Sequence, residues 1–195
     1  DALLDLAERY DAWLYLDDAH GFGVLNEGRG GMTERAARSD RVIYLATLGK
    51  AAGVAGAAVA AEQTVIAWLI QKSRPYIYTT ATPPMLAACL VASLQQIAQG
   101  EALRASLHRH VRALRGGLAD LRWTLLPSDT PIQPLVVGDN ADAMALSDAL
   151  RERGLLVPAI RTPTVPQGTA RLRITLSAAH TAPDIDQLIA ALHEV

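Results

Sequence analysis

The sequence predicts an α/β layer architecture with an at least partly parallel sheet, followed by a smaller α+β domain. Three observations carry this. Short apolar runs alternate with helix-periodic segments over residues 1–99. Two of those runs end on polar clusters, Asp17-Asp18-Ala19-His20 and Thr47-Leu48-Gly49-Lys50. Beyond Gly100 the composition turns to charged amphipathic helix and period-2 alternation, which places a domain boundary near residue 99.

Residues 1–10 set Leu3, Leu4, Leu6, Ala7 and Tyr10 at near-helical spacing. Residues 12–16 form a short apolar run, read as a buried strand that ends at Asp17. Gly21, Gly23, Gly28, Gly30 and Gly31 then make a loop. Residues 42–46 read as the next strand and 57–60 as a third. Residues 64–72 are expected to be helical, 75–80 extended and 83–99 a long helix. In the second domain, residues 101–121 form an amphipathic helix with Leu103, Leu107, Val111, Leu114 and Leu118 as its apolar stripe. Residues 123–126 and 132–137 are strands separated by a turn-rich stretch around Pro127 and Pro131. Residues 142–153 form a helix stopped by Gly154, followed by a strand over 155–160. Residues 171–176 alternate as a half-buried strand, and the last helix starts near Thr181 with Pro183 in its first turn and Ile185, Leu188, Ile189 and Leu192 inward.

The chain has 195 residues, 50% hydrophobic and 19% charged, which describes a globular protein with room for a real core. Lys+Arg total 18 against 20 Asp+Glu, for a net charge of −2. That balance gives no electrostatic reason to expect nucleic acid or an anionic membrane as partner. No run approaches the length of a membrane span, and the first residues of the sequence show no basic stretch with a cleavage site. The single Cys89 lies among apolar residues and reads as a buried small hydrophobe. A cytoplasmic enzyme is the default expectation. No set of residues has metal-ligand spacing: His108, His110 and His193 fall at solvent-like helix positions and His180 in a loop.

Lys50 follows the apolar run 42–46 and is ringed by glycine and alanine. Such a setting is expected to desolvate the amine, lowering its pKa and making it a former of imines with carbonyl groups. Taken with the Asp17 cluster, this makes a carbonyl cofactor, pyridoxal phosphate, the leading candidate. That cofactor needs an amine for its aldehyde, a carboxylate at its ring nitrogen, hydroxyl or N–H donors for its phosphate, and usually an arginine for the substrate carboxylate. Asp17, at a strand's carboxyl end, suits the ring nitrogen, and His20 the ring's phenolic oxygen. Thr47 is placed to reach a phosphate, as are Thr79 or Thr80. Arg161, Thr164, Arg171 and Arg173 cluster around the loop 162–168, with Arg171 and Arg173 on one strand face and Leu172 and Ile174 on the other. Taken singly, each has an ordinary reading: Asp17 as a helix cap or turn residue, Lys50 as a solvated loop lysine, the arginines as a solvated strand face. Asp18 reads as structural.

Together, Leu16-Asp17-Asp18-Ala19-His20-Gly21-Phe22-Gly23-Val24-Leu25, Thr47-Leu48-Gly49-Lys50-Ala51-Ala52-Gly53, Arg74-Pro75-Tyr76-Ile77-Tyr78-Thr79-Thr80 and the segment from Val157 to Pro166 strongly resemble the α-oxoamine synthases, which are fold-type I pyridoxal-phosphate transferases. The motifs look most like the member that acts in biotin synthesis. The resemblance implies that Lys50 bonds the cofactor and, with His20, takes part in catalysis. It also implies that Asp17 partners the pyridine nitrogen, His20 lies near the phenolic oxygen, and Thr47 and Thr79 serve phosphates, Thr79 that of a neighbouring subunit. Thr164, Arg161 and Arg173 match substrate positions. The family implies condensation of L-alanine with a pimeloyl thioester, on acyl carrier protein or coenzyme A, with release of CO2, in a homodimer. Sister enzymes use glycine, as glycine C-acetyltransferase and 5-aminolevulinate synthase do, and some relatives of the fold are non-catalytic; those lack the lysine that Lys50 matches. Family members begin well before Asp1. Residues 1–99 are therefore expected to be the C-terminal part of the large cofactor-binding domain, and residues 100–195 the small C-terminal domain. By themselves they are expected to bind cofactor weakly or not at all.

Overall fold

A computed structural model describes residues 1–195 and divides the chain into two units, Asp1–Glu101 and Ala102–Val195. The first unit opens with helix α1 (Ala2–Arg9), which turns Leu4 and Ala7 inward, three residues apart on one face. Strands β1 (Leu14–Asp17) and β2 (Val42–Thr47) pair in parallel, from Leu14↔Val42 to Asp17↔Leu45. Strand β3 (Ala57–Ala60) joins the other edge of β2 antiparallel, so the three-stranded sheet is mixed, in the order β1-β2-β3. Leu4, Ala36 and Val42 form a small core, with Leu14, Met32 and Tyr44 packed against it. Arg35 ties the short helical turn Ala36–Arg38 back to α1 through ion pairs with Asp5 and Glu8.

Helices α2 (Gln63–Lys72) and α3 (Pro84–Ala98) complete this unit. The Glu62 carboxylate caps α2 by accepting from the Thr64 N–H at 2.7 Å, and Pro84 starts α3 with its fixed φ.

Four expectations are corrected here. The first strand is not buried: its residues alternate, with Leu14 and Leu16 partly covered and Tyr15 and Asp17 exposed. It also starts later, because the Ala12 N–H closes the end of α1 on the Ala7 carbonyl. Residues 75–80 are not extended. Tyr76 and Ile77 both donate their N–H groups to the Ser73 carbonyl, and Thr79 donates to that of Tyr76, which makes successive turns. Finally, Cys89 is exposed, because α3, apolar along its length, has no buried residue within this unit.

The second unit comprises α4 (Glu101–Gly117), β4 (Thr124–Leu125), β5 (Ile132–Gly138), α5 (Asn140–Glu152), β6 (Ala159–Ile160), β7 (Ala170–Thr175) and α6 (Ala182–Glu194). Its antiparallel sheet has the order β4-β5-β7-β6. Leu114, Leu135, Leu150, Leu172, Ile174 and Leu192 are fully enclosed. Fully burying one leucine or isoleucine side chain contributes roughly 1.5–3 kcal/mol, so six of them make a firm core. Gly154, at φ +79°, ends α5 in the left-handed conformation, with its N–H on the Arg151 carbonyl and that of Leu155 on Leu150. Thr181 and Asp184 form a reciprocal capping box at the start of α6. Gly117 lets α4 and α6 approach closely, since a Cβ there would stand 2.5 Å from Ile189.

On α4, Leu107, Val111 and Leu114 are buried, as is Leu118 just beyond the helix, but Leu103 is exposed and His110 is not at a solvent position. Residues 104, 107, 110, 111 and 114 share one helical face, which draws Arg104 and His110 inward. The His110 ring nitrogen Nδ1 lies 3.3 Å from the Ser177 carbonyl. The strand expected over 155–160 shrinks to Ala159–Ile160, because Leu155 is spent in closing α5.

Candidate cofactor site

The parallel pairing of β1 and β2 sets two strand ends side by side, Asp17 level with Leu45 and Thr47 just beyond on β2. The carboxyl ends of parallel strands are where open α/β sheets take ligands. After Thr47 the chain folds into a tight loop: Leu48 exchanges hydrogen bonds with Gly56 and Val54, and the Gly53 N–H returns to the Lys50 carbonyl at 2.9 Å. Gly53 stands at φ +62°, a conformation side-chain-bearing residues rarely adopt. Buried Leu48 and Ala52 anchor the loop, and the Ser93 hydroxyl donates to the Ala52 carbonyl at 2.6 Å.

At the loop's apex the Lys50 Nζ donates to the Thr47 Oγ1 at 3.0 Å. Lys50 is exposed. This corrects the expected desolvation: glycine and alanine beside the lysine leave room around it but carry too little side chain to cover a four-carbon amine. Asp17 is likewise exposed, with one carboxylate oxygen accepting from the Ala19 N–H at 3.1 Å, a local turn that fixes the carboxylate's direction. His20 is exposed in the same turn segment.

Asp18 faces the other way and is buried. One of its carboxylate oxygens accepts from the Gly31 N–H at 2.9 Å and from the Tyr44 hydroxyl at 2.8 Å. Burial first, then the hydrogen bond to Asp18 and its negative charge, push the Tyr44 hydroxyl well above the usual phenol range. Tyr44 escapes a reading of the sequence because in the run 42–46 it counts only as one more apolar position.

The Thr79 hydroxyl donates to the Tyr76 carbonyl at 2.7 Å in the exposed turns before α3. In the second unit, Arg161 leaves β6 exposed, with a guanidinium nitrogen 3.4 Å from the Met144 sulfur. Thr164 donates its N–H to the Arg161 carbonyl at 2.9 Å. Arg171 and Arg173 do share the half-exposed face of β7, with Leu172 and Ile174 buried on the other. Arg171 is committed locally, donating to the Thr169 carbonyl and hydroxyl. Arg173 stands level with Pro158, whose carbonyl accepts its N–H, while Arg161 lies just beyond the end of β6. The site residues thus fall into two sets, Asp17, His20, Thr47, Lys50 and Thr79 in one unit, Arg161, Thr164 and Arg173 in the other.

The profile of the aminotransferase class I and II family matches residues 1–192. The chain belongs to that family. It is 70% identical, over its full length, to the 8-amino-7-oxononanoate synthase of Thiobacillus denitrificans and covers 51% of that relative. It is 59% identical to the 8-amino-7-oxononanoate synthase of Nitrosospira multiformis, with 99% of this chain and 49% of the relative covered. Among solved structures, Sphingomonas wittichii serine palmitoyltransferase superposes with a TM-score of 0.88 at 28% identity, over 98% of this chain and 49% of that one. The 8-amino-7-oxononanoate synthase of Francisella tularensis superposes with a TM-score of 0.85 at 31% identity, over 98% of this chain and 57% of that one. The chain spans about half the length of the curated relatives it matches. Its fold is part of the fold-type I pyridoxal-phosphate transferase fold. No helix is long and apolar enough to cross a membrane.

The family implies pyridoxal phosphate as cofactor, and the donor set at the β1–β2 end fits it. An amine and a hydroxyl already in hydrogen-bond contact, with a carboxylate at the neighbouring strand end, are the groups that an aldehyde, a phosphate and a pyridine nitrogen require.

Proposed function

We propose that the protein carrying this chain is a pyridoxal-phosphate-dependent acyltransferase that joins L-alanine to a pimeloyl thioester with loss of CO2, giving 8-amino-7-oxononanoate in biotin synthesis. The observation that carries the reading is the Lys50–Thr47 contact at the end of β2 beside Asp17, in a chain 70% identical to a protein of that name. When bound, the cofactor supplies an aldehyde for amines and an electron-poor ring that accepts the electron pair left on a substrate carbon.

The chain's own residues do the rest. Lys50 would hold the cofactor through Nζ and, with that atom free, would carry a proton on it. Thr47 turns its hydroxyl to the phosphate. Asp17, fixed by the Ala19 N–H, keeps the pyridine nitrogen protonated. His20 hydrogen-bonds the phenolic oxygen, and Thr79 serves the phosphate of the neighbouring subunit in a cytoplasmic homodimer. Arg161 and Arg173 hold the substrate carboxylate, which their planar donors match, with Thr164 beside them. Residues 1–99 belong to a large cofactor-binding domain and 100–195 to a small one. The acyl carrier is an acyl carrier protein or coenzyme A. These 195 residues, which span about half the length of the relatives, are expected by themselves to bind the cofactor weakly or not at all.

Borohydride reduction of the full-length, cofactor-loaded protein followed by peptide mapping is expected to place a pyridoxyl group on Lys50. Thiol release is expected with alanine and pimeloyl thioester. Turnover with glycine and an acetyl or succinyl thioester alone would assign the protein to the glycine-using sister enzymes. No adduct on Lys50 would remove the enzymatic reading.

A further inference from the structure

We propose that Asp18 is a positioning residue for the cofactor site, a buried carboxylate that holds Asp17 and His20 in place by fastening three segments together. The inference rests on the function proposed above. Successive strand residues face opposite ways, so with Asp17 turned to solvent at the strand end, Asp18 points into the unit and does not meet the same ligand. It acts through its neighbours instead.

Each hydrogen-bonding part of Asp18 joins a different piece of the site. Its N–H extends the parallel ladder to the Leu45 carbonyl at 2.8 Å, holding the end of β1 against β2. Its carbonyl accepts from Gly21 and Phe22 at 3.1 and 2.9 Å, closing the turn that carries His20. Its carboxylate takes the Gly31 N–H from the far end of the glycine loop and the Tyr44 hydroxyl from β2, the strand that ends in Thr47.

The glycines show that the loop is built around this carboxylate. A Cβ on Gly21 would stand 2.1 Å from one carboxylate oxygen, and a Cβ on Gly30 1.8 Å from the other. A side chain at either position would evict the carboxylate. The two motif segments, 17–20 and 47–50, are thus referenced to one buried group. A carboxylate whose hydrogen bonds are charge-assisted holds such a reference more firmly than a neutral side chain.

Full-length Asp18→Ala, Asp18→Asn and Tyr44→Phe proteins test this by cofactor titration, the pH midpoint of the bound cofactor's visible band, and hydrogen exchange over residues 17–31 in the cofactor-free protein. Asp18→Ala is expected to weaken cofactor binding about tenfold, to move the spectral midpoint, and to speed exchange in the cofactor-free loop. Asp18→Asn, which keeps the shape and can still accept from Gly31, is expected to recover most of the affinity. Tyr44→Phe is expected to act in the same direction as Asp18→Ala, less strongly.

Faster exchange and a lower Tm in Asp18→Ala, with affinity and spectral midpoint unchanged, would reduce Asp18 to a structural brace and overturn the inference. If Asp18→Ala does not fold, an unchanged affinity and midpoint in Tyr44→Phe overturn it equally. A wild-type protein without a pyridoxyl adduct on Lys50 sinks the parent reading and this one with it. A wild-type adduct with indifferent variants removes the positioning role alone.

Discussion

In the second unit each helix carries a buried stripe: Leu107, Val111 and Leu114 on α4, Ala143, Leu146 and Leu150 on α5, Ile185, Leu188 and Leu192 on α6. In the first unit only α1 does so. Helices α2 and α3 bury nothing and expose Trp68, Ile70, Met85, Val91 and Leu94. The proposed cofactor groups belong to this second, less densely packed kind of structure, whereas the proposed substrate arginines stand on the well-packed unit. In the first unit the site rests on hydrogen bonds, at Asp18 and in the loop 48–56, more than on packed apolar surface. In the second, the arginine-bearing strand β7 is nailed down by Leu172 and Ile174 on its reverse face.

The sharpest separation is expected from Lys50→Ala. Activity of the full-length protein should fall by orders of magnitude, while stability of the 195-residue chain, in which the side chain is exposed, stays within about 0.5 kcal/mol of wild type. Chemical denaturation beside the activity assay checks both halves, and a large stability loss would break the comparison. Next, in the 195-residue chain, Leu172→Ala should cost about 2–5 kcal/mol, since Leu172 has no exposure. Leu94→Ala, on a side chain 41% exposed, should cost much less in the same measurement. Equal losses would show that α3 is covered in solution.

Gly30→Ala should destabilise the first unit by about 1–3 kcal/mol, measured by urea unfolding, because φ +73° and the Asp18 carboxylate both oppose a Cβ. Smaller effects belong to pH. The Tyr44 hydroxyl keeps its proton in the fold to a higher pH than in the unfolded chain, where it ionises near 10. The folded state therefore binds more protons above about pH 10, and stability should fall as pH rises through that range, less steeply in Tyr44→Phe. At the other end, Asp184 accepts from the Thr181 N–H and then its hydroxyl, which holds its carboxyl below the usual range. Its contribution is present above the ordinary carboxylate value and should be lost as pH falls below about 4, a slope that Asp184→Asn should remove. Melting curves across pH read both.

Much of the fold was legible because period and punctuation are local. Alternation from Arg171 to Ile174 marked β7 and its two faces, Gly154 marked the end of α5, and Pro183 with Thr181 marked the start of α6. Where the reading failed, non-local facts intervened. The apolar run 12–16 became a short half-exposed strand because α1 claimed Ala12 through a hydrogen bond. The segment 75–80 became turns because its N–H groups found local carbonyls and no neighbouring strand. Cys89 and His110 exchanged their expected environments, the first on a helix its unit leaves uncovered, the second drawn under by the width of α4's buried face.

The candidate site divides in the same way. The residue types and their order, Asp17 and His20 at one strand end and Thr47 and Lys50 at the next, are properties of the sequence, because strand ends and the glycines after them are written in neighbouring residues. That β1 and β2 lie parallel and adjacent, that Asp18 rather than Asp17 is the buried carboxylate, and that Tyr44 is its partner were decided by the tertiary structure. A side chain's burial and its hydrogen-bond partners depend on segments distant in sequence, and only the folded chain brings those together.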